Sequence, residues 1–169
     1  MSELITLSEV GRILSNIGNK LIQCKDILKL INYNTPDALS QSDVSLQDII
    51  KLVGKGSDPK SEQKIFKTPF NDNIVDDVRS EIRFFTPLLK PNNIYISEVI
   101  ISFQIIVHNS IWDLEENQRP LVLLHEILKN FNGYDIGSIG ELQLSDSIRI
   151  FNWNNSFAGY QVNFKTRTQ

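Results

Sequence analysis

The sequence predicts an α+β fold, in which N-terminal helices are followed by β-β-α-β-β and one helix packs on a mostly antiparallel sheet. Three observations predict this fold class. Apolar residues recur at alternating spacings of three and four from Val10 to Ile31, which is the pattern of an amphipathic helix. The segment from Ile94 to His108 is rich in Ile, Val, Phe and Tyr, which favour strands. A second helical stripe follows Pro120 and lies between two pairs of strand-like segments.

The N-terminal helical region is assigned to residues 1–54. Thr6 and Glu9 have the spacing of a capping box, so the first helix is expected to begin there. Gly18-Asn19 weakens the apolar stripe, and one long helix or two shorter ones broken at that pair both fit the pattern. A further short helix is predicted from Ser45 to Gly54.

Residues 55–65 are predicted to form an exposed loop, because the segment is rich in Gly, Ser and charged residues. Loops of this length within compact domains are often functional, so we expect its lysines to become ordered against a partner. The lysines in question are Lys55, Lys60 and Lys64. Residues 66–169 then form the sheet domain, and the whole chain is expected to be one compact domain.

Within the sheet domain, turn residues and prolines separate the predicted elements. Ile82 to Thr86 is predicted as a strand that Pro87 stops, and Lys90 to Asn93 as a turn. Pro120 opens the packed helix and Asn132-Gly133 ends it. The remaining strands are predicted at 140–151, with a turn near Asp146, and at 160–166.

Composition narrows the classes of function. The net charge is −3 and the pI about 5.4, whereas proteins that grip nucleic acid are usually basic. Cys24 is the only cysteine, so no intramolecular disulfide forms. The N-terminus does not have the pattern of a signal peptide, and no apolar run approaches the ~20 residues that span a bilayer. We therefore expect a soluble intracellular protein without membrane contacts.

No recognisable catalytic or cofactor motif is present, so the sequence predicts a protein that is not an enzyme and takes no cofactor or metal. It contains no glycine-rich phosphate loop and no Gly-x-Ser-x-Gly turn. A small metal-dependent enzyme using His108, Asp113 and His125 is an alternative hypothesis. Their spacing matches no metal signature, and a structural role for both histidines is favoured.

Aromatic residues are concentrated near the C-terminus, beside two basic residues. They are Phe151, Trp153, Phe157 and Tyr160, near Lys165 and Arg167. Aromatic and basic residues together can stack on nucleic-acid bases, but they are also enriched in protein interfaces. Because the chain is acidic, we favour a subunit or partner interface formed by these six residues.

From about Phe66 to Thr166 the chain resembles small neck proteins of tailed bacteriophages, of the tail-terminator or head-tail connector type. The residues that carry the resemblance are the strand Ile100–His108, Trp112, Arg119-Pro120, Gly140-Glu141-Leu142 and Phe157–Val162. Trp112 and Arg119 therefore join the candidate interface residues.

The resemblance implies a homo-oligomeric ring, commonly a hexamer, that joins the tail tube and sheath to the head connector. Other neck and tail proteins would be its partners, and DNA would only pass through a central channel without sequence-specific contacts. It also implies a location in the virion, and in the host cytoplasm during assembly. A non-enzymatic protein-binding adaptor module is the principal alternative.

Overall fold

The computed structural model describes residues 5–55, 62–69, 77–137, 140–145 and 148–167. The first three helices belong to the N-terminal region, as predicted, and the fourth follows the long strands. The helices of the described residues are α1 (Leu7–Leu21), α2 (Lys25–Asn32), α3 (Leu46–Leu52) and α4 (Arg119–Phe131). Short 3₁₀ turns occur at Ala38–Ser40 and Asn109–Ile111.

Six strands form one sheet in the described part of the chain. They are β1 (Ile65–Phe66), β2 (Ser80–Asn92), β3 (Tyr95–His108), β4 (Glu141–Leu144), β5 (Arg149–Asn152) and β6 (Phe157–Arg167). The order is β1-β2-β3-β6-β4, and β5 also pairs with β6. All pairs except β1-β2 are antiparallel, so the predicted fold class is confirmed.

The N-terminal stripe forms two helices, and the break between them lies after Leu21 rather than at Gly18-Asn19. Gly18 is buried inside α1, where a Cβ atom would lie 3.3 Å from the Phe84 ring. This glycine therefore allows close packing of the helix on the sheet and does not end it.

Strand β2 continues through Pro87 to Asn92, contrary to the prediction that Pro87 ends it. The register between β2 and β3 shifts between Phe85 and Leu88, and this irregularity accommodates the proline. The turn itself comprises Asn93, which has a φ of 59°, and Ile94. As a result, β2 and β3 form a hairpin longer than the sequence indicates.

The core lies between one face of the sheet and the helices. Ile101, Phe103 and Ile105 of β3 have no exposed surface and point to this face. The ring of Phe131 from α4 lies 4.8 Å from that of Phe103. Helix α4 packs against β3, β4 and β6 on this face.

Candidate assembly surfaces

Arg119 is fully buried, so the expectation that it lies at a subunit surface is corrected. Its guanidinium donates hydrogen bonds to four backbone carbonyls: Ile111 at 2.9 Å, Leu30 at 2.7 Å, Tyr33 at 2.7 Å and Thr35 at 2.8 Å. Burial lowers the pKa of this arginine below its usual value. Arg119 thereby ties the end of α2 and the segment after it to the turn that precedes α4.

Lys64 lies at the same end of α2, and its side chain is directed inward rather than into an exposed loop. Its ammonium donates to the carbonyl of Ile31 at 3.1 Å. Burial lowers its pKa, and the charges of Arg79 and Arg119 add to the effect. The C-terminal carbonyls of a helix carry partial negative charge, so Lys64 and Arg119 both stabilise the end of α2. Lys55 is exposed, and Lys60 lies outside the described residues.

The second face of the sheet contains a buried row of charges at the start of β2 and just before it, which was not predicted from the sequence. The Glu81 carboxylate accepts hydrogen bonds from Arg79 and from Arg83, the latter at 2.8 Å. The Arg83 guanidinium also stacks on the rings of Trp153, at 4.4 Å, and Phe66, at 5.5 Å. Charged residues alternate with other residues from Arg79 to Phe84, which is the pattern of a strand with one exposed face, so the burial of these charges was not predictable from the pattern.

The predicted interface residues are therefore not one surface patch. Phe157 is buried, with its ring 5.0 Å from that of His108. Trp112 and Tyr160 are half-buried against the core, and Phe151 and Trp153 are half-buried. Lys165 is exposed. Arg167 closes β6 in register with Glu141, and its side chain lies outside the described part of the chain.

Strand β5 forms an edge of the sheet with exposed apolar residues. Ile150 in this strand is 64% exposed, and Ile148, just before it, is 38% exposed. The neighbouring strand β4 has the loop after α4 along its outer side, where the amide of Leu142 donates to the carbonyl of Tyr134 at 2.9 Å. Among the described residues, hydrogen bonds of this kind join β5 to β6 alone. An uncovered, apolar strand edge favours pairing with another chain.

The end of the β2-β3 hairpin, residues 88–94, is a second exposed apolar feature and is here called the hairpin tip. Ile94 is 81% exposed, more than any other large apolar residue in the described regions, and Leu88 is 46% exposed. Lys90 at the tip is also exposed and forms a 2.5 Å ion pair with Glu98. The sequence located a turn here but did not indicate that it projects.

A concave surface, here called the groove, lies between the segment after α2 and the segment that leads into α4. Its volume is about 670 Å³, and its lining combines apolar residues with three carboxylates and one histidine. The apolar lining includes Pro36, Leu39, Leu114, Leu121 and Val122, and the ionisable lining consists of Asp37, Glu115, Glu116 and His125. Pockets of roughly 300–1,000 Å³ commonly bind ligands or partner side chains.

The histidines of the alternative enzyme hypothesis lie in different settings. The Nδ1 atom of His108 lies 2.7 Å from the hydroxyl of Ser110 and accepts a hydrogen bond from the backbone amide of Ser110. His125, in contrast, lies in the groove. Across residues 5–55, 62–69, 77–137, 140–145 and 148–167, no group of three or more His, Cys, Asp or Glu side chains is placed to hold a metal ion. No helix in these ranges is long and apolar enough to cross a membrane.

Comparison with known proteins gives one result. The model of the YomW family matches residues 25–166, which is most of the chain, including α2 and all of the described sheet except the last residue of β6. The name is typical of proteins from Bacillus phage regions, which indicates a phage-associated protein. No curated protein and no solved structure matches the chain significantly.

Proposed function

Because this chain belongs to the YomW family, we propose that it is a virion structural protein of a tailed phage, a tail-terminator or neck subunit. In this role it forms a homo-oligomeric ring that joins the tail tube and sheath to the head connector. It has no enzymatic activity and needs no cofactor. Its partners are further copies of itself and other neck and tail proteins.

The observation that carries the proposal is the edge at β5, which no other described strand or loop covers. Natural proteins usually protect strand edges with charges, prolines or covering loops, because an open edge pairs with other chains. Here β4 has such a covering loop. At β5, in contrast, Ile150 in the strand and Ile148 just before it are exposed. An edge of this kind supports assembly through a strand from a neighbouring protein.

The charge of the chain is compatible with a ring around DNA. A protein that neutralises phosphates with Lys and Arg binds DNA strongly and without sequence preference. The net charge of −3 favours a channel that lets DNA pass without holding it. The burial of Arg79, Arg83 and Arg119 removes three cations of the described chain from such contacts.

The test is the solution mass of the purified protein by light scattering, together with negative-stain images. We expect rings of about six subunits. We expect Ile150→Lys to reduce the mass, because burying the lysine charge in a subunit contact at the strand edge costs free energy. Val78→Lys is the matched control, since Val78 is an exposed aliphatic residue outside β5. A wild-type protein that stays monomeric at high concentration and on isolated tails would refute the ring and favour the adaptor module.

A further inference from the structure

The hairpin tip and the groove lie at opposite ends of the molecule. The tip precedes the start of β3, and the groove residues Leu114 to Asn117 follow its end. Strand β3 has 14 residues, so the two features are separated by roughly 45 Å. The amide of Asn34 donates to the carbonyl of Val78 at 2.7 Å, which places the other groove wall at the same end, beside the start of β2.

The two surfaces are complementary in shape and chemistry. The tip is convex and presents Ile94 and Leu88, whereas the groove is concave and presents the partly exposed side chains of Leu39 and Leu121. The groove carries carboxylates, and the tip carries the ammonium of Lys90. An ammonium has three donors, so Lys90 can keep its bond to Glu98 and still bind a carboxylate of the groove.

The groove is fixed before anything binds to it. Arg119 holds the carbonyl of Thr35 on one wall and that of Ile111 near the other. The amide of Glu115 also donates to the carbonyl of Pro36 at 3.3 Å, which joins the two walls directly. A rigid groove reduces the conformational entropy lost on binding.

We propose that the groove binds the hairpin tip of a second copy of this chain. Because the tip and the groove lie at opposite ends of one subunit, the contact can repeat head to tail, and such contacts generate closed rings when the rotation between subunits closes. The inference rests on the proposed ring and identifies one of its subunit contacts. Glu115 and Glu116 of one subunit then lie near Lys90 of the next, while Ile94 contacts Leu39 and Leu121.

Cysteine cross-linking tests this contact directly. In a Cys24→Ser background, Ile94→Cys combined with Leu121→Cys is oxidised under the conditions in which the wild type assembles. We expect a ladder of covalent oligomers on a denaturing gel, because each subunit links to the next. Two controls should give no ladder beyond a dimer. One is Ile94→Cys alone, and the other combines Ile94→Cys with Leu46→Cys, since Leu46 is exposed but lies outside the groove.

A complementation experiment adds a second measurement. Ile94→Asp replaces the apolar side chain at the tip by a negative charge, and Leu121→Arg places a bulky side chain in the groove. Both residues are exposed enough for the fold to tolerate the change. Each variant alone should fail to form rings, and mixing the two should restore a single tip-groove contact between unlike subunits, which is seen as a one-to-one complex. Rings that persist without any cross-linked ladder would overturn the docking but leave the ring itself in place. A wild-type protein that never assembles would overturn both.

Discussion

The two ends of β3 differ in how their surfaces are used. At the end near His108, buried cations bind backbone carbonyls, and Arg119 alone makes four such bonds. At the other end the hairpin tip projects with Ile94 and Leu88 exposed. One end therefore contributes to folding through satisfied polar groups, and the other leaves apolar surface uncovered.

The difference shows that some charged residues of this protein are buried while some large apolar residues are exposed. The charged residues Arg83 and Arg119 are among the largest fully buried side chains, while Ile94 and Ile150 are exposed. A buried cation is tolerated only where its hydrogen bonds are made, and exposed apolar residues are informative when they are grouped at one feature. The buried arginines are accordingly expected to govern stability, and the exposed apolar residues to govern association.

The largest effect is expected at Arg119. Arg119→Ala should lower the free energy of unfolding by about 3–5 kcal/mol, because four backbone carbonyls, two of them buried, lose their donor and a cavity remains. Urea denaturation measures the loss. Arg149→Ala, at an exposed arginine of β5, is the control and should change stability by less than about 0.5 kcal/mol. An equal effect of the two substitutions would contradict the role assigned to Arg119.

An intermediate effect with a defined pH dependence is expected at Lys64. Its pKa in the folded protein is lowered, so between that pKa and the unfolded value of about 10.4 the unfolded chain binds more protons. Stability from this residue therefore rises as the pH is raised through that window. Lys64→Met should cost about 1 kcal/mol near neutral pH for the lost bond to Ile31, and more as the pH rises.

Denaturant unfolding at several pH values measures this dependence. Lys55→Met provides the comparison, since Lys55 is exposed. The assignment would be wrong if the difference in unfolding free energy between the wild type and Lys64→Met shrank on raising the pH.

The smallest effect on stability is expected at the hairpin tip. Ile94→Ser should change the free energy of unfolding by less than about 0.5 kcal/mol, because the side chain is already in contact with water. Ile101→Ala, in the same hairpin but fully buried, should cost about 2–5 kcal/mol. Thermal unfolding of both variants, at a protein concentration low enough for the chain to be monomeric, makes the comparison. A large loss for Ile94→Ser under these conditions would show that the tip packs within its own subunit.

The order of the elements was predictable from the sequence because it depends on local periodicity. The amphipathic stripe after Pro120 and the apolar segment up to His108 correspond to α4 and β3. The continuation of β2 beyond Pro87 was not predictable, since it depends on pairing with β3 across a register shift. Similarly, Gly18 lies inside α1 because Phe84, distant in sequence, packs against it.

The interface was harder to predict than the fold, because exposure depends on tertiary packing. Arg119 and Phe157 have the residue types that are common in interfaces, yet both are buried. Conversely, Ile94 appears in the sequence as the first residue of a strand, and only its position in a two-residue turn exposes it. The edge at β5 depends on which strands pair, which a single sequence does not reveal.

The prolines of β2 have a consequence for the direction in which the sheet can grow. Pro87 and Pro91 lie in this strand near the opposite side of the sheet from β5, and a proline has no amide hydrogen to offer an incoming strand. Strand β5 contains no proline. Strand addition is therefore favoured at one side of the sheet and hindered at the other, so that two molecules do not propagate a continuous sheet by joining side to side. Such polarity protects an assembling protein from fibrous aggregation while leaving one side open to a specific neighbour.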